Sequence, residues 1–184
     1  MQYKRVRLQR EACALFLSPE RCLVTLDFPC SDLVEVRCSP QHGRGVFART
    51  EIPAGTRILP FQGPRLRLAE LDPTDYHLQI GEEEYLGASG AADDYVNHSC
   101  TPNCALDDHL WLYALRPVAA GVELTWDYSS AIDEADFGGF PCHCGSPECR
   151  GSVRSYRHLA AAERARLQPL LLPYLRRKYG GLSV

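Results

Sequence analysis

The sequence predicts a mainly β domain of short strands, α+β in class, with a helical tail at its C-terminal end. Two near-copies of one module predict the β part. Ile52-Pro53-Ala54-Gly55 turns into a strand over Thr56–Phe61, and Val118-Ala119-Ala120-Gly121 turns into Val122–Trp126 after a strand at Leu110–Leu115. Short β-branched and aromatic runs punctuated by glycine turns read as hairpins, so two hairpins built on an (Ile/Val)-x-Ala-Gly turn are expected. The tail is predicted by a different period: Leu159, Ala162, Glu163, Arg166, Leu167, Leu170, Leu171 and Tyr174 recur at helical spacing.

In chain order, Leu23-Val24-Thr25-Leu26 and Leu33-Val34-Glu35-Val36 have strand composition, punctuated by Pro29 and Pro40. His42-Gly43-Arg44-Gly45 reads as a tight glycine turn before a strand at Val46-Phe47-Ala48. Residues 63–94 read as a loop or short helix, with short strands near Tyr76-His77-Leu78 and Glu84-Tyr85-Leu86. In the tail, Pro169 is expected to start a second helical piece, Pro173 to kink or end it, and Gly180-Gly181 to close it. The tail reads as an appendage on a β body.

At 184 residues the chain fits one domain and can bury a core without staples. No run of eighteen apolar residues suits a membrane span, and the charged N-terminus lacks an apolar signal core. The expectation is a soluble intracellular protein, cytoplasmic or, in a eukaryote, nuclear. The net charge of −3 is unevenly spread: residues 1–10 carry +4 and residues 151–184 carry +6, which leaves −13 on residues 11–150. An acidic body suits a basic partner such as a Lys/Arg-rich protein tail. The basic ends suit nucleic acid or acidic surfaces, or are simply solvated faces.

Nine cysteines in such a chain do not read as a disulfide framework. Cys13, Cys22, Cys30 and Cys38 are too evenly spread for a metal knuckle and are expected to be buried small apolar residues. Cys142, Cys144 and Cys149 are different. Three thiols within eight residues, with a glycine between, suit one zinc ion, and a structural site takes four ligands. The fourth must come from elsewhere, with Cys100 and Cys104 the two choices. No Walker loop, strand–GxGxxG–helix unit or Gly-x-Ser-x-Gly elbow is present.

In order, the chain carries Gly-Arg-Gly-Val-Phe-Ala at 43–48, Phe-Gln-Gly at 61–63, Asn-His-Ser-Cys-x-Pro-Asn at 97–103, Glu-Leu-Thr-x-Asp-Tyr at 123–128 and Cys-x-Cys-Gly-x3-Cys-Arg-Gly at 142–151. This series resembles the SET-domain protein lysine methyltransferases that carry a post-SET zinc segment, over roughly residues 42–151. The last three motifs are specific together; the first two add order.

The resemblance implies a β-clip-like fold of small curved sheets in which the Asn97-His98 segment threads a loop to form a pseudoknot. It implies 42–130 as the SET domain and 131–153 as the zinc segment, between residues 1–41, read as flanking strands, and 154–184, read as a basic helical tail. It implies S-adenosylmethionine bound by His42, Gly43, Arg44, Gly45, Tyr76, Tyr95, Asn97 and His98. Tyr128 is the implied catalytic tyrosine, with Trp126 and Phe61 beside it at the methyl-transfer channel. Cys100 joins Cys142, Cys144 and Cys149 on one structural Zn2+. The implied activity is in-line methyl transfer to a lysine of a basic protein such as a histone tail. The alternative is a catalytically weak or inactive module of the same shape that binds basic tails. Phe61 stands where many members have Tyr, Asp94 where Arg is common, and Trp126 where Phe or Tyr tunes methyl number. Lacking a hydroxyl, Trp126 favours multiple methylation.

Overall fold

The computed structural model describes residues 32–40, 43–72 and 77–180. Twelve short strands form four small sheets among these residues. The central sheet has the order β1 (Val34–Ser39), β2 (Gly43–Ala48), β10 (Glu123–Trp126), β7 (Asn97–His98). A second sheet sets β9 (Trp111–Ala114) between β3 (Arg57–Pro60) and β8 (Cys104–Leu106). A third sets β6 (Glu84–Gly87) between β4 (Arg65–Arg67) and β5 (His77–Gln79), and β11 (Phe140–Pro141) pairs with β12 (Ser152–Val153). All pairings are antiparallel except β7 on β10.

The two glycine turns form as expected, but they are not hairpins. Thr56 N–H donates to Pro53 C=O at 3.3 Å and Val122 N–H to Ala119 C=O at 3.2 Å. In each turn the third residue, Gly55 or Gly121, has φ of +78°, which only glycine adopts without strain. Each turn carries the chain out of one sheet into another. The strands they deliver then pair crosswise, β3 with β9 and β2 with β10. Ile52 and Val118 bridge the two turns through reciprocal bonds of 2.8 and 2.9 Å. Turn chemistry fixes the local bend; burial of the apolar face of these strands, with Ile58, Leu112 and Leu124 at most 2% exposed, selects the partner.

Other expectations shift too. β2 starts at Gly43, so the glycines lie in the strand, in register with β1. Gly45 has a packing reason: a Cβ there would lie 2.1 Å from Glu123 Oε1 and 3.0 Å from Asn97 Nδ2. Cys38 on β1 is half-buried and disulfide-bonded, not a buried apolar filler. The proposed strand at 23–26, and Cys13, Cys22 and Cys30, lie outside the described residues.

The tail is part of the core. It contains α1 (Ala161–Leu167), a 3-10 turn at Gln168–Leu170 and α2 (Pro173–Tyr179). Leu167, Leu171, Leu172 and Leu175 are each at most 2% exposed and share one cluster with Val34, Val46 and Leu124. Pro173 starts α2 instead of ending a helix, because the first helical position needs no N–H and suits proline's fixed φ. Gly180 caps α2, donating its N–H to Arg176 C=O at 2.7 Å. Asp133 locks the tail down. Its carboxylate, 1% exposed, accepts from Arg157 Nε and Nη2, Lys178 Nζ and the Tyr179 hydroxyl. No helix among the described residues is long and apolar enough to cross a membrane.

Candidate active site

The site is built where β7 meets β10. These two strands run parallel, with Asn97 opposite Thr125 and His98 opposite Trp126, and Ser99 N–H donates to Trp126 C=O at 3.1 Å. Parallel pairing of these two segments requires the chain between them to cross back, at the place where the resemblance implies the threaded knot. Asn103 holds the second strand from its other side: its Nδ2 donates to Glu123 C=O, and its Oδ1 accepts from Thr125 N–H, both at 2.8 Å. The Pro-Asn pair at 102–103 thus serves the knot.

Asn97 is 4% exposed and its amide nitrogen donates to Arg44 C=O at 2.7 Å and to Glu123 Oε1 at 2.6 Å. Glu123 Oε2 in turn accepts from the Ser39 hydroxyl at 2.9 Å. These bonds draw the Gly43–Gly45 strand against the knot. The exposed Arg44 sets its guanidinium 5.7 Å over the half-buried Tyr95 ring. Gly43, Arg44, Gly45, Tyr95 and Asn97 therefore come together, while His42 and Tyr76 lie outside the described residues. A cation and an aromatic face fit a nucleoside-bearing ligand with a carboxylate. His98 departs from expectation. Its ring is 4% exposed and faces Cys100 Sγ through Nε2, at 3.4 Å, and Tyr128 N–H through Nδ1, at 3.2 Å. A cofactor contact by this residue would come from its backbone.

On the other side of the knot the three predicted channel residues meet. Trp126 and Phe61 pack edge to face at 5.8 Å between centroids, and Trp126 and Tyr128 lie 5.0 Å apart. They border a cavity of about 130 Å3 with Asp93, Asp94, Val96 and Ile132. The Tyr128 hydroxyl donates to Val96 C=O at 2.8 Å, which leaves its oxygen as an acceptor. Burial pushes the Asp93 carboxyl up, against the opposing hydrogen bonds from the Ser89 hydroxyl and Gln62 N–H. Asp94 accepts from the N–H groups of Ser89 and Gly90.

The cysteines resolve the choice of fourth ligand. The sulfurs of Cys100, Cys142, Cys144 and Cys149 all lie within 4.8 Å of one another. Cys104 is fully buried in the main core instead. Zn–S bonds near 2.3 Å in a tetrahedron put sulfurs about 3.8 Å apart, and Cys100 and Cys142 already stand at 3.7 Å. Backbone N–H groups of Arg150 and Gly151 donate to Cys100 and Cys149 sulfurs at 3.4 Å, as thiolate ligands require. The donor set fits Zn2+. Val153, Phe137 and Phe140 pack a small second core around it.

Residues 43–129 match the SET domain family. The chain contains a SET domain. Among its relatives, histone-lysine N-methyltransferase 2B of Homo sapiens is 30% identical over 164 residues, covering 79% of this chain and 6% of the relative. Histone-lysine N-methyltransferase trithorax of Drosophila virilis is 32% identical over 145 residues, 68% of this chain and 4% of the relative. The H3 lysine-4 specific histone-lysine N-methyltransferase of Saccharomyces cerevisiae is 31% identical over 130 residues, 60% of this chain and 12% of the relative. The chain thus spans a small part of the length of these relatives. In structure, the SET domain resembles KRYPTONITE crystallised with mCHG DNA and SAH, with a TM-score of 0.55 and 28% identity over 70% of this chain and 30% of that chain.

Two functional side chains carried no role in the motif reading: Asp127 and Arg150, which form a buried ion pair behind Tyr128. The one sequence signal was their place, each beside a residue already singled out. A charge next to the expected catalytic tyrosine and another next to a candidate metal thiolate both need a partner if buried.

Proposed function

We propose that this chain is an S-adenosylmethionine-dependent protein lysine N-methyltransferase acting on a basic, histone-like protein. The observation that carries it is the convergence of Phe61, Trp126 and Tyr128 on one cavity, a single strand away from the Asn97–Arg44–Tyr95 surface. The SAH in the KRYPTONITE structure supports the cofactor. S-adenosylmethionine supplies an electrophilic methyl group on a sulfonium.

The chain's own residues supply the rest. A free lysine has a pKa near 10.4 and must be neutral to attack. The aromatic walls of Phe61 and Trp126 exclude water, which disfavours the ammonium. The Tyr128 oxygen, fixed by its bond to Val96 C=O, accepts an N–H of the amine and aims its lone pair. Alignment of this kind contributes on the order of 7–11 kcal/mol. Asp93 and Asp94 beside the cavity suit a basic substrate. Trp126 without a hydroxyl favours more than one methyl per lysine. The zinc is structural: Cys100, Cys142, Cys144 and Cys149 tether residues 131–153 over the knot, with 154–184 as the tail.

Cofactor binding separates this function from a non-catalytic module that holds basic tails. Calorimetric titration of the zinc-loaded chain with S-adenosylhomocysteine is expected to show one site, weakened by Asn97→Ala. Absence of binding would favour the module. The H3 peptide in a second KRYPTONITE structure supports a histone-tail substrate and a nuclear setting.

A further inference from the structure

Arg150 follows the last cysteine of the cluster, yet its side chain turns inward and is 6% exposed. Nη1 donates to Asp127 Oδ2 at 2.6 Å and Nη2 to Asp127 Oδ1 at 2.7 Å, and Nη2 also reaches the Ser129 hydroxyl at 3.2 Å. The Asp127 carboxylate is 1% exposed, and Arg150 Nε has no partner. A buried pair with an unsatisfied donor is a poor device for stability, since desolvation consumes much of what the attraction returns. What such a pair does well is fix position.

The position it fixes is that of Tyr128. Asp127 is the preceding residue, and its Oδ1 caps the 3-10 turn Tyr128–Ser130 by accepting Ser129 N–H at 3.0 Å. The other end of Arg150 meets the cluster, where its backbone N–H donates to Cys100 Sγ. The same sulfur faces His98 Nε2, while His98 Nδ1 accepts the Tyr128 N–H. Because Nδ1 is the acceptor, the neutral ring carries its proton on Nε2, directed at the sulfur. Cys100 therefore touches two routes that end on the Tyr128 backbone.

We infer that Arg150 is a positioning residue that couples the metal-held segment to the setting of Tyr128 through Asp127; this rests on the methyltransferase function proposed above. Occupancy of the thiolate cluster then governs turnover without any metal contact to substrate. Two variants test it in the full chain: Arg150→Lys, which keeps a charge but loses the bidentate fork, and Asp127→Asn/Arg150→Met, which leaves no unpaired buried charge. Zinc content, S-adenosylhomocysteine affinity, kcat and KM, and exchange of the Tyr128 amide are read for each. Expected are one zinc per chain, unchanged cofactor affinity and peptide KM, and a kcat lower by about 10–100-fold, the loss typical of a small misplacement. The Tyr128 amide should exchange faster in both variants and respond several-fold less to zinc removal, which in the parent chain speeds it; the residual response passes through His98.

A zinc-loaded double variant with parental kcat, or a Tyr128 amide that still answers zinc removal as in the parent, would overturn the coupling. A parent chain that methylates nothing would sink the proposed function alone. The exchange measurement would still decide whether Arg150 links the cluster to Tyr128.

Discussion

Replacing Asp133 with Asn should loosen the C-terminal tail from the site. The carboxylate accepts two bonds from Arg157 at 3.0 and 3.1 Å, one from Lys178 at 2.9 Å and one from the Tyr179 hydroxyl at 2.8 Å. Its own N–H donates at 2.8 Å to Gln79 Oε1, a residue that borders the channel with Ile132. Hydrogen bonds to a charged group contribute about 1.5–3 kcal/mol each. Arg157 and Lys178 keep 32% and 35% exposure, so water reclaims part of that loss, and Asn retains the volume and some bonding. The net cost is about 2–4 kcal/mol, below the 3–5 typical of a fully buried broken pair. At about 2–4 °C per kcal/mol for a chain of this size, Tm should fall by roughly 4–16 °C in calorimetry. Arg166→Gln is the control, because the Arg166–Glu148 pair is 41% and 66% exposed and such pairs contribute about 0–1 kcal/mol. An Asp133→Asn variant melting with the parent, or a control that falls as far, would refute the reasoning.

Cys100→Ser should abolish stoichiometric zinc and expose residues 142–153 to protease, whereas Cys104→Ala should keep one zinc per chain by metal analysis, since Cys104 lies in the core and not in the cluster. Asp133 also sets an acid limit. Burial alone would raise its pKa, but the bonds from Arg157, Lys178 and Tyr179 outweigh it and hold the carboxyl below the ordinary range. Its stabilisation is therefore present above the unfolded pKa, near 3.9, and is lost as pH falls below that through the folded value. Tm against pH should drop below about pH 4 in the parent and less steeply in Asp133→Asn. Leu175→Ala, at a site with no exposure, should cost about 2–5 kcal/mol in denaturant unfolding, as a core position and not an appendage.

The knot and the zinc cluster were legible because their motifs pack several constrained residue types into few positions. Asn97-His98 and Glu123–Trp126 fall on paired strands, and Cys142, Cys144 and Cys149 meet Cys100. The ligand choice between Cys100 and Cys104 is not legible from spacing, since both lie close in sequence and only the fold turns one toward the other three thiols. The glycine turns are legible as bends, but the strands they join belong to different sheets and not to hairpins. A turn's dihedrals are local, while the pairing of β3 with β9 is set by which surfaces remain to be buried. The tail looked separable because its helices are short and basic, and its leucines declare a core contact only once Val34 and Leu124 are seen beneath them. The partners of Asp127 and Asp133 lie more than twenty residues away, beyond any periodicity.

The most direct test of the central claim is mass spectrometry of core histones after incubation with S-adenosylmethionine and the zinc-loaded chain, run beside Tyr128→Phe. Loss of one neutral hydroxyl bond costs about 1 kcal/mol, so the variant should stay folded. Methyl-lysine, including di- or trimethyl forms, is expected from the parent, with a rate lower by about 10²–10³-fold in the variant. Full activity in Tyr128→Phe would contradict the catalytic role of Tyr128. No methyl-lysine from a parent that also fails to bind S-adenosylhomocysteine would contradict the enzyme itself.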